Sequence, residues 1–155
     1  LTTLKQQVIA ARQDASPQLL LGNYQLRRFA DALYLLSSAD ITEPKVQLHW
    51  QGEAKLHLPA GLGCVVFATT ADHRAQALAG SDAEIVFGQL SLRFTPLGQS
   101  MSKPLKQWFK LWRVPPWQRQ RIPLLLVGGQ LQVVLGYASS VSPAQATHFV
   151  RWQQA

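Results

Sequence analysis

SKPLKQWFKLWRVPPWQRQRIP, residues 102–123, carries six Lys/Arg, three Trp, one Phe and four Pro, with no acid among its 22 residues. Leu105, Trp108, Phe109 and Trp112 stand at i, i+3, i+4 and i+7, the spacing of one helix face. Lys103, Lys106, Lys110 and Arg113 fall on a second stripe, roughly 130° round the axis at 100° per residue. Ser102 suits an N-cap, and Pro104 is tolerated in a first turn, where its missing N–H would have had no partner. Pro115-Pro116 stops the helix by removing a donor and forcing the preceding residue out of the α region. Pro116 can also open a second short helix over 116–121, bringing Arg119 and Arg121 and burying Trp117. The spacing thus predicts two basic helical pieces at a rigid elbow, their aromatic side packed on a sheet and their cations facing water or phosphate.

Outside this stretch the pattern is that of strands. Residues 24–29 and 32–36 read as a hairpin about Ala30-Asp31, and 46–50 with 55–58 as a second hairpin about Gly52. Cys64 opens a continuous apolar run to Ala68, a buried strand in which the single cysteine is a small hydrophobe rather than a nucleophile. Residues 83–88 and 89–94 read as further strands. A last pair, 123–127 and 130–135, is joined by Gly128-Gly129, which suits a two-residue turn with positive φ. A final strand is expected around 148–152. Residues 2–12, with Leu4, Val8, Ile9 and Ala11 apolar, read as a helix ended by Asp14-Ala15-Ser16-Pro17. The expected class is α+β: a β-rich domain of hairpins and short strands packed with a few short helices. The small, polar stretch 71–82 is the expected junction between two subregions, 1–82 and 83–155.

The chain has 155 residues and a formal net charge of +7, unevenly placed. Residues 1–84 hold all eight acids and seven basic groups, whereas 85–155 hold eight basic groups and no acid. That asymmetry predicts a polyanionic partner, nucleic acid or an anionic membrane surface, for the second half. No apolar run approaches the roughly 20 residues that span a bilayer, and no signal peptide is evident. With one buried cysteine and no need of a disulfide, a reducing cytoplasmic setting is expected. A short helix that ends in Pro-Pro, beside strands able to absorb its apolar side, favours nucleic acid over a membrane partner. The start at Leu1 reads as a piece of a longer protein. Ser100-Met101-Ser102-Lys103 matches the S-x-x-K of some hydrolases, but its companion motifs are missing. Gly61-Leu62-Gly63 lacks the third glycine of a dinucleotide fingerprint. His49, His57, His73 and His148 lack metal-ligand spacing, so no metal is expected.

Lys103-x-Leu105-Lys106-x-x-Phe109, then Val114-Pro115-Pro116-Trp117-x-Arg119, Pro123-Leu124-Leu125 and Gly128-Gly129, resembles the C-terminal domain of tRNA(Ile)-lysidine synthetase. Ala10-Ala11-Arg12-x-Asp14-Ala15-Ser16-Pro17, with Leu21-Gly22 and Arg27-Arg28, resembles the segment entering that domain from the middle, substrate-recognition domain. The matches bracket most of the chain, although 39–82 carries no motif. The resemblance implies a ligase whose N-terminal domain uses ATP, with Mg, to adenylate the wobble cytidine of isoleucine tRNA, after which free lysine displaces AMP. The phosphate loop of that domain, Ser-Gly-Gly-x-Asp-Ser, is not in this sequence, so no cofactor or catalytic residue is expected here. On this resemblance residues 83–155 hold tRNA, chiefly at the acceptor stem, through Lys103, Lys106, Lys110, Arg113, Arg119 and Arg121, beside the catalytic domain of the same chain. Pro104, and the weakly basic run Gln99-Ser100-Met101-Ser102, depart from the family pattern. The competing readings are an anionic-membrane-surface anchor, since a short helix with Trp and Leu opposite Lys also has that form, and a protein-docking module.

Overall fold

The structure, a computed structural model, describes residues 18–21 and 24–154; the helix expected over 2–12 lies outside them. The chain forms two compact units that divide between Thr42 and Glu43. In the first, β1 (Gln18–Leu21), β2 (Tyr24–Phe29) and β3 (Ala32–Ser37) form an antiparallel sheet followed by one helical turn, α1 (Ser38–Ile41). The hairpin expected about Ala30-Asp31 is present with Phe29 opposite Ala32. Both turn residues have positive φ, 49° and 66°, the two-residue turn whose twist matches that of the strands it joins.

The second unit contains β4 (Leu48–Trp50), β5 (Lys55–His57), β6 (Cys64–Ala68), β7 (Gln76–Leu78), β8 (Ala83–Val86), β9 (Arg93–Phe94) and β10 (Lys103–Pro104). After these come α2 (Leu105–Leu111), α3 (Pro116–Arg119), β11 (Leu124–Val127), β12 (Gln130–Val134), β13 (Ala138–Ser139), a 3-10 turn (Pro143–Gln145) and β14 (His148–Gln153). Two antiparallel sheets dominate, in the orders β13-β12-β11-β8-β4 and β5-β6-β14-β7, with β9 and β10 as a separate pair. Trp50, Ile85, Leu125 and Val133 of the first sheet and Val65, Phe67, Leu78 and Val150 of the second form one core. Residues that alternate with the first set, Val86, Leu124, Leu126 and Val134, point the other way and form a second core with Leu105, Trp108 and Phe109 of α2. The five-stranded sheet is thus covered on both faces, and the α+β class read from the sequence holds.

The second expected hairpin does not form. β4 pairs with β8, Trp50 opposite Ala83, while β5 pairs with β6, Leu56 opposite Val65. Alternation fixes which face of a strand is buried and says nothing about its partner. Here the fully buried Trp50 stacks on Phe67 of the facing sheet, with ring centroids 4.3 Å apart, and its Nε1–H donates to the Glu53 carbonyl at 2.7 Å. That bond holds the corner at which the chain leaves one sheet for the other. The polar stretch 71–82 contains β7, which pairs with β14.

The Gly128-Gly129 turn is as expected, with φ of 58° and 80°. Beyond it Leu126 faces Leu131 but Leu125 faces Val133, leaving Gln132 as the extra residue of a β-bulge. Its amide turns to β7, accepting from Ala79 N at 3.0 Å and donating to Ala79 O at 3.0 Å. Gln76 of β7 answers with bonds to Val134 O and from Gly136 N, and Ser139 Oγ donates to Ala77 O at 2.6 Å. Replacing Gln132 with Met keeps the volume and orphans both polar groups of Ala79, so a loss of about 1–3 kcal/mol is expected in urea unfolding. An unchanged midpoint would show that the amide does not hold the two sheets together.

Candidate nucleic-acid interface

Residues 102–123 supply the helical layer over the five-stranded sheet. The helix begins at Leu105, not at the Ser102 cap expected. Lys103-Pro104 is first taken as a strand against Arg93-Phe94, and Ser102 accepts from the Arg93 guanidinium, Oγ at 3.3 Å and backbone O at 2.8 Å. The first helical amides are satisfied from a distant loop: Leu105 N donates to Leu92 O at 2.8 Å and Lys106 N to Leu90 O at 2.9 Å. At the other end Val114 N donates to Phe109 O and Arg113 N to Lys110 O, at 2.9 and 3.1 Å. This is the Schellman pattern, with Val114 and Phe109 both in the core beneath it. The left-handed position of that motif, where Gly is usual, holds Arg113 at φ 58°. A side chain there carries a strain of about 1–2 kcal/mol.

Leu105, Trp108 and Phe109 are buried, as expected. Their apolar side is therefore occupied by the sheet and is not available to a membrane surface. Trp108 Nε1 donates to the buried Phe94 carbonyl at 2.7 Å, and Lys103 Nζ lies 4.9 Å over the same indole, a cation–π contact. Lys106, Lys110 and Arg113 are exposed along α2 and its end. Among the described residues no carboxylate lies within ion-pair distance of Lys103, Lys106, Lys110, Arg113 or Arg119.

The other two cations behave differently. Arg119 Nε donates to Val114 O at 2.8 Å, bracing the elbow between α2 and α3, and its partial burial lowers the guanidinium pKa. Arg121 Nη2 donates to Ala60 O at 3.0 Å, on the loop between β5 and β6. The structure thus places Lys106 and Lys110 on α2, with Lys103 in the strand just before it and Arg113 in the turn just after it, uses Arg119 as the brace of the elbow, and turns Arg121 toward another loop.

Three features escaped the sequence. Arg93, outside the helical stretch, flanks Lys103 through strand pairing and lines a groove of about 420 Å³ with Ser102 and Gln130. Arg74 and Arg151 line a second recess, of about 290 Å³, with Gln76 and Trp152. Asp72 tempers that second site: the Arg74 backbone N–H, and then the charges of His73, Arg151 and Arg74, hold its carboxyl below the usual range. Finally, Trp112 was assigned to the buried stripe but lies just past α2, half-buried and stacked on the exposed Tyr137. The histidines form no cluster: His49 and His57 sit in different sheets, and His148 meets the edge of Trp50.

Two family models match the chain: the TilS substrate C-terminal domain over residues 83–153 and the TilS substrate binding domain over residues 1–34. A tRNA(Ile)-lysidine synthase of Serratia proteamaculans is 38% identical over 143 residues, covering 88% of this chain and 31% of that protein. The chain belongs to the tRNA(Ile)-lysidine synthase family. Further relatives of that name are 33% identical in Legionella pneumophila strain Paris, over 86% of this chain and 30% of that protein, and 36% identical in Yersinia pseudotuberculosis serotype O:1b, over 84% and 32%. The chain spans about a third of the length of these curated relatives. A solved structure, the crystal structure of TILS C-terminal domain, matches with a TM-score of 0.49 at 16% identity, over 68% of this chain and 93% of that one.

Within this chain, the C-terminal domain match runs from β8 to β14. The strands before it complete the same sheets: β4 is the edge of the five-stranded one, and β6 pairs with β14 over five residues.

Proposed function

We propose that this chain is the tRNA-gripping part of a lysidine synthase, which ligates lysine to the wobble cytidine of isoleucine tRNA. ATP and Mg act on an N-terminal domain outside this sequence, and the setting is the cytoplasm. Residues 83–155 grip the acceptor stem. The single observation that carries this reading is a helix whose cations meet no carboxylate among the described residues, in a half-chain that has no acid beyond Glu84. A duplex RNA stem hides its base edges in a deep, narrow groove, so a protein holds it mainly through phosphates, 2′-hydroxyls and shape. Lys106, Lys110 and Arg113 supply the outermost contacts. Lys103 and Arg119 are held by Trp108 and Val114 and so lose little freedom on binding. Arg121 touches RNA only where it passes the Ala60 loop.

With four to six phosphates met, log K for tRNA is expected to fall with log salt at a slope of roughly −3 to −5. A Lys106→Ala chain, titrated with isoleucine tRNA and an unrelated tRNA at several salt concentrations, is expected to bind both more weakly and to flatten the slope by about one unit. An unchanged slope removes Lys106 from the interface. Preference for neither tRNA would leave a grip without discrimination.

A further inference from the structure

A column of planar groups runs out from the core beside the cationic helix. Lys103 Nζ caps the Trp108 ring at 4.9 Å; Trp108 and Trp112 follow at 5.9 Å and 23°; Trp112 and Tyr137 follow at 5.6 Å and 14°. Phe109, fully buried, sets its edge against both outer rings, at 6.0 Å from Trp112 and 6.2 Å from Tyr137. One end is therefore sealed and the side is wedged. The other end is open: Trp108 is 4% exposed and Tyr137 40%, and among the described residues no further ring or cation stacks on Tyr137. The turn that carries Tyr137 is fixed by its N–H bond to Val134 O at 3.0 Å.

We propose that Tyr137, as the open end of this column, is a stacking site for an unpaired nucleobase of the bound RNA. The charge around it favours a nucleotide over an apolar protein segment. Lys110 and Arg113 flank Trp112 in sequence, both are exposed, and Arg113 keeps its strained backbone at that place. A nucleotide satisfies both features, offering a π face to the tyrosine and a phosphate to the cations, which is how single strands are held without sequence preference. Bases inside a duplex already have both faces covered, so the site selects a single-stranded extension next to the gripped stem. The proposal rests on the tRNA reading above and adds to it a second, uncharged contact.

The test uses the whole 155-residue chain and three RNAs: a blunt hairpin, the same hairpin with a four-nucleotide 3′ extension, and one whose extension is abasic. The last keeps the phosphates and removes the bases. The base-bearing extension is expected to bind about 5- to 150-fold more tightly than the abasic one, the range for one stacked base. Tyr137→Ser should erase that ratio while leaving affinity for the abasic RNA unchanged, and Tyr137→Phe should keep it. Equal affinity of the wild-type chain for the two extended RNAs overturns the stacking site and leaves the phosphate grip standing; the face then belongs to a protein neighbour. Equal weakening of all three RNAs by Tyr137→Ser assigns the ring to folding alone and overturns it too. Failure of every RNA to bind overturns the tRNA reading and this site with it.

Discussion

Trp108→Ala is expected to lower the stability of the unit from Glu43 to Ala155 by about 3–5 kcal/mol, the range for deleting a buried tryptophan. Trp108 is 4% exposed among Phe94, Leu105 and Leu124, and its loss leaves a cavity between helix and sheet. The Phe94 carbonyl also loses its indole donor in a buried position. Trp108→Phe separates the two effects: it keeps most of the volume and drops the hydrogen bond, so about 1–3 kcal/mol of the loss is expected to remain. Urea unfolding followed by circular dichroism measures both. An alanine variant within about 0.5 kcal/mol of the parent, the scatter of ordinary surface changes, would mean that α2 is not anchored through this ring. Because Lys103 rests on the same indole, the alanine variant should also steepen the entropic cost of binding RNA.

The combined variant Lys106→Ala, Lys110→Ala, Arg113→Gly is expected to flatten the salt slope of tRNA binding by about two to three units, at roughly 0.7–0.9 per phosphate contact. The same coefficients correspond to about two decades of affinity at 0.1 M salt, relative to 1 M. Glycine is chosen at 113 because it removes the charge and relieves the left-handed strain, so the Schellman turn is kept. The three side chains are exposed and outside the core, so the melting temperature should not fall, and relief of the strain at 113 should raise it by a few degrees. A variant that melts normally and binds tRNA with the parental slope would place the grip elsewhere, with the Arg74 and Arg151 recess the next region to test.

What the sequence made legible is what depends on neighbours a few residues away. The stripe of Leu105, Trp108 and Phe109, the stop at Pro115-Pro116 and the turns at Ala30-Asp31 and Gly128-Gly129 all follow from local rules and are found. The failures are non-local. The cap expected at Ser102 is displaced because carbonyls of Leu90 and Leu92, more than ten residues upstream, take the first helical amides. The hairpin of β4 and β5 opens because Trp50 finds Phe67 across the core, a choice that alternation cannot encode. Within the polar stretch 71–82, Gln76 uses its polarity to bond another strand end, a partner that composition cannot name.

The candidate site divides in the same way. Helical spacing put Lys106 and Lys110 on one exposed face, and they are there. Spacing could not show that Arg119 would brace Val114 or that Arg121 would meet Ala60, 61 positions away. Nor could it show the outer half of the aromatic column: Trp112 continues the helical period, but the helix ends at Leu111, and Tyr137 arrives from a turn between two strands.

The bonds from Gln132 and Ser139 to the segment of Ala77 and Ala79 have one more consequence. β7 is the last strand of its sheet, and a bare last strand is a template onto which another polypeptide can add. Here side chains imitate the missing neighbour, taking the Ala77 carbonyl and both polar groups of Ala79. A second molecule meeting that rim finds those hydrogen-bonding positions already filled, so the edge is guarded against accepting a strand from another copy.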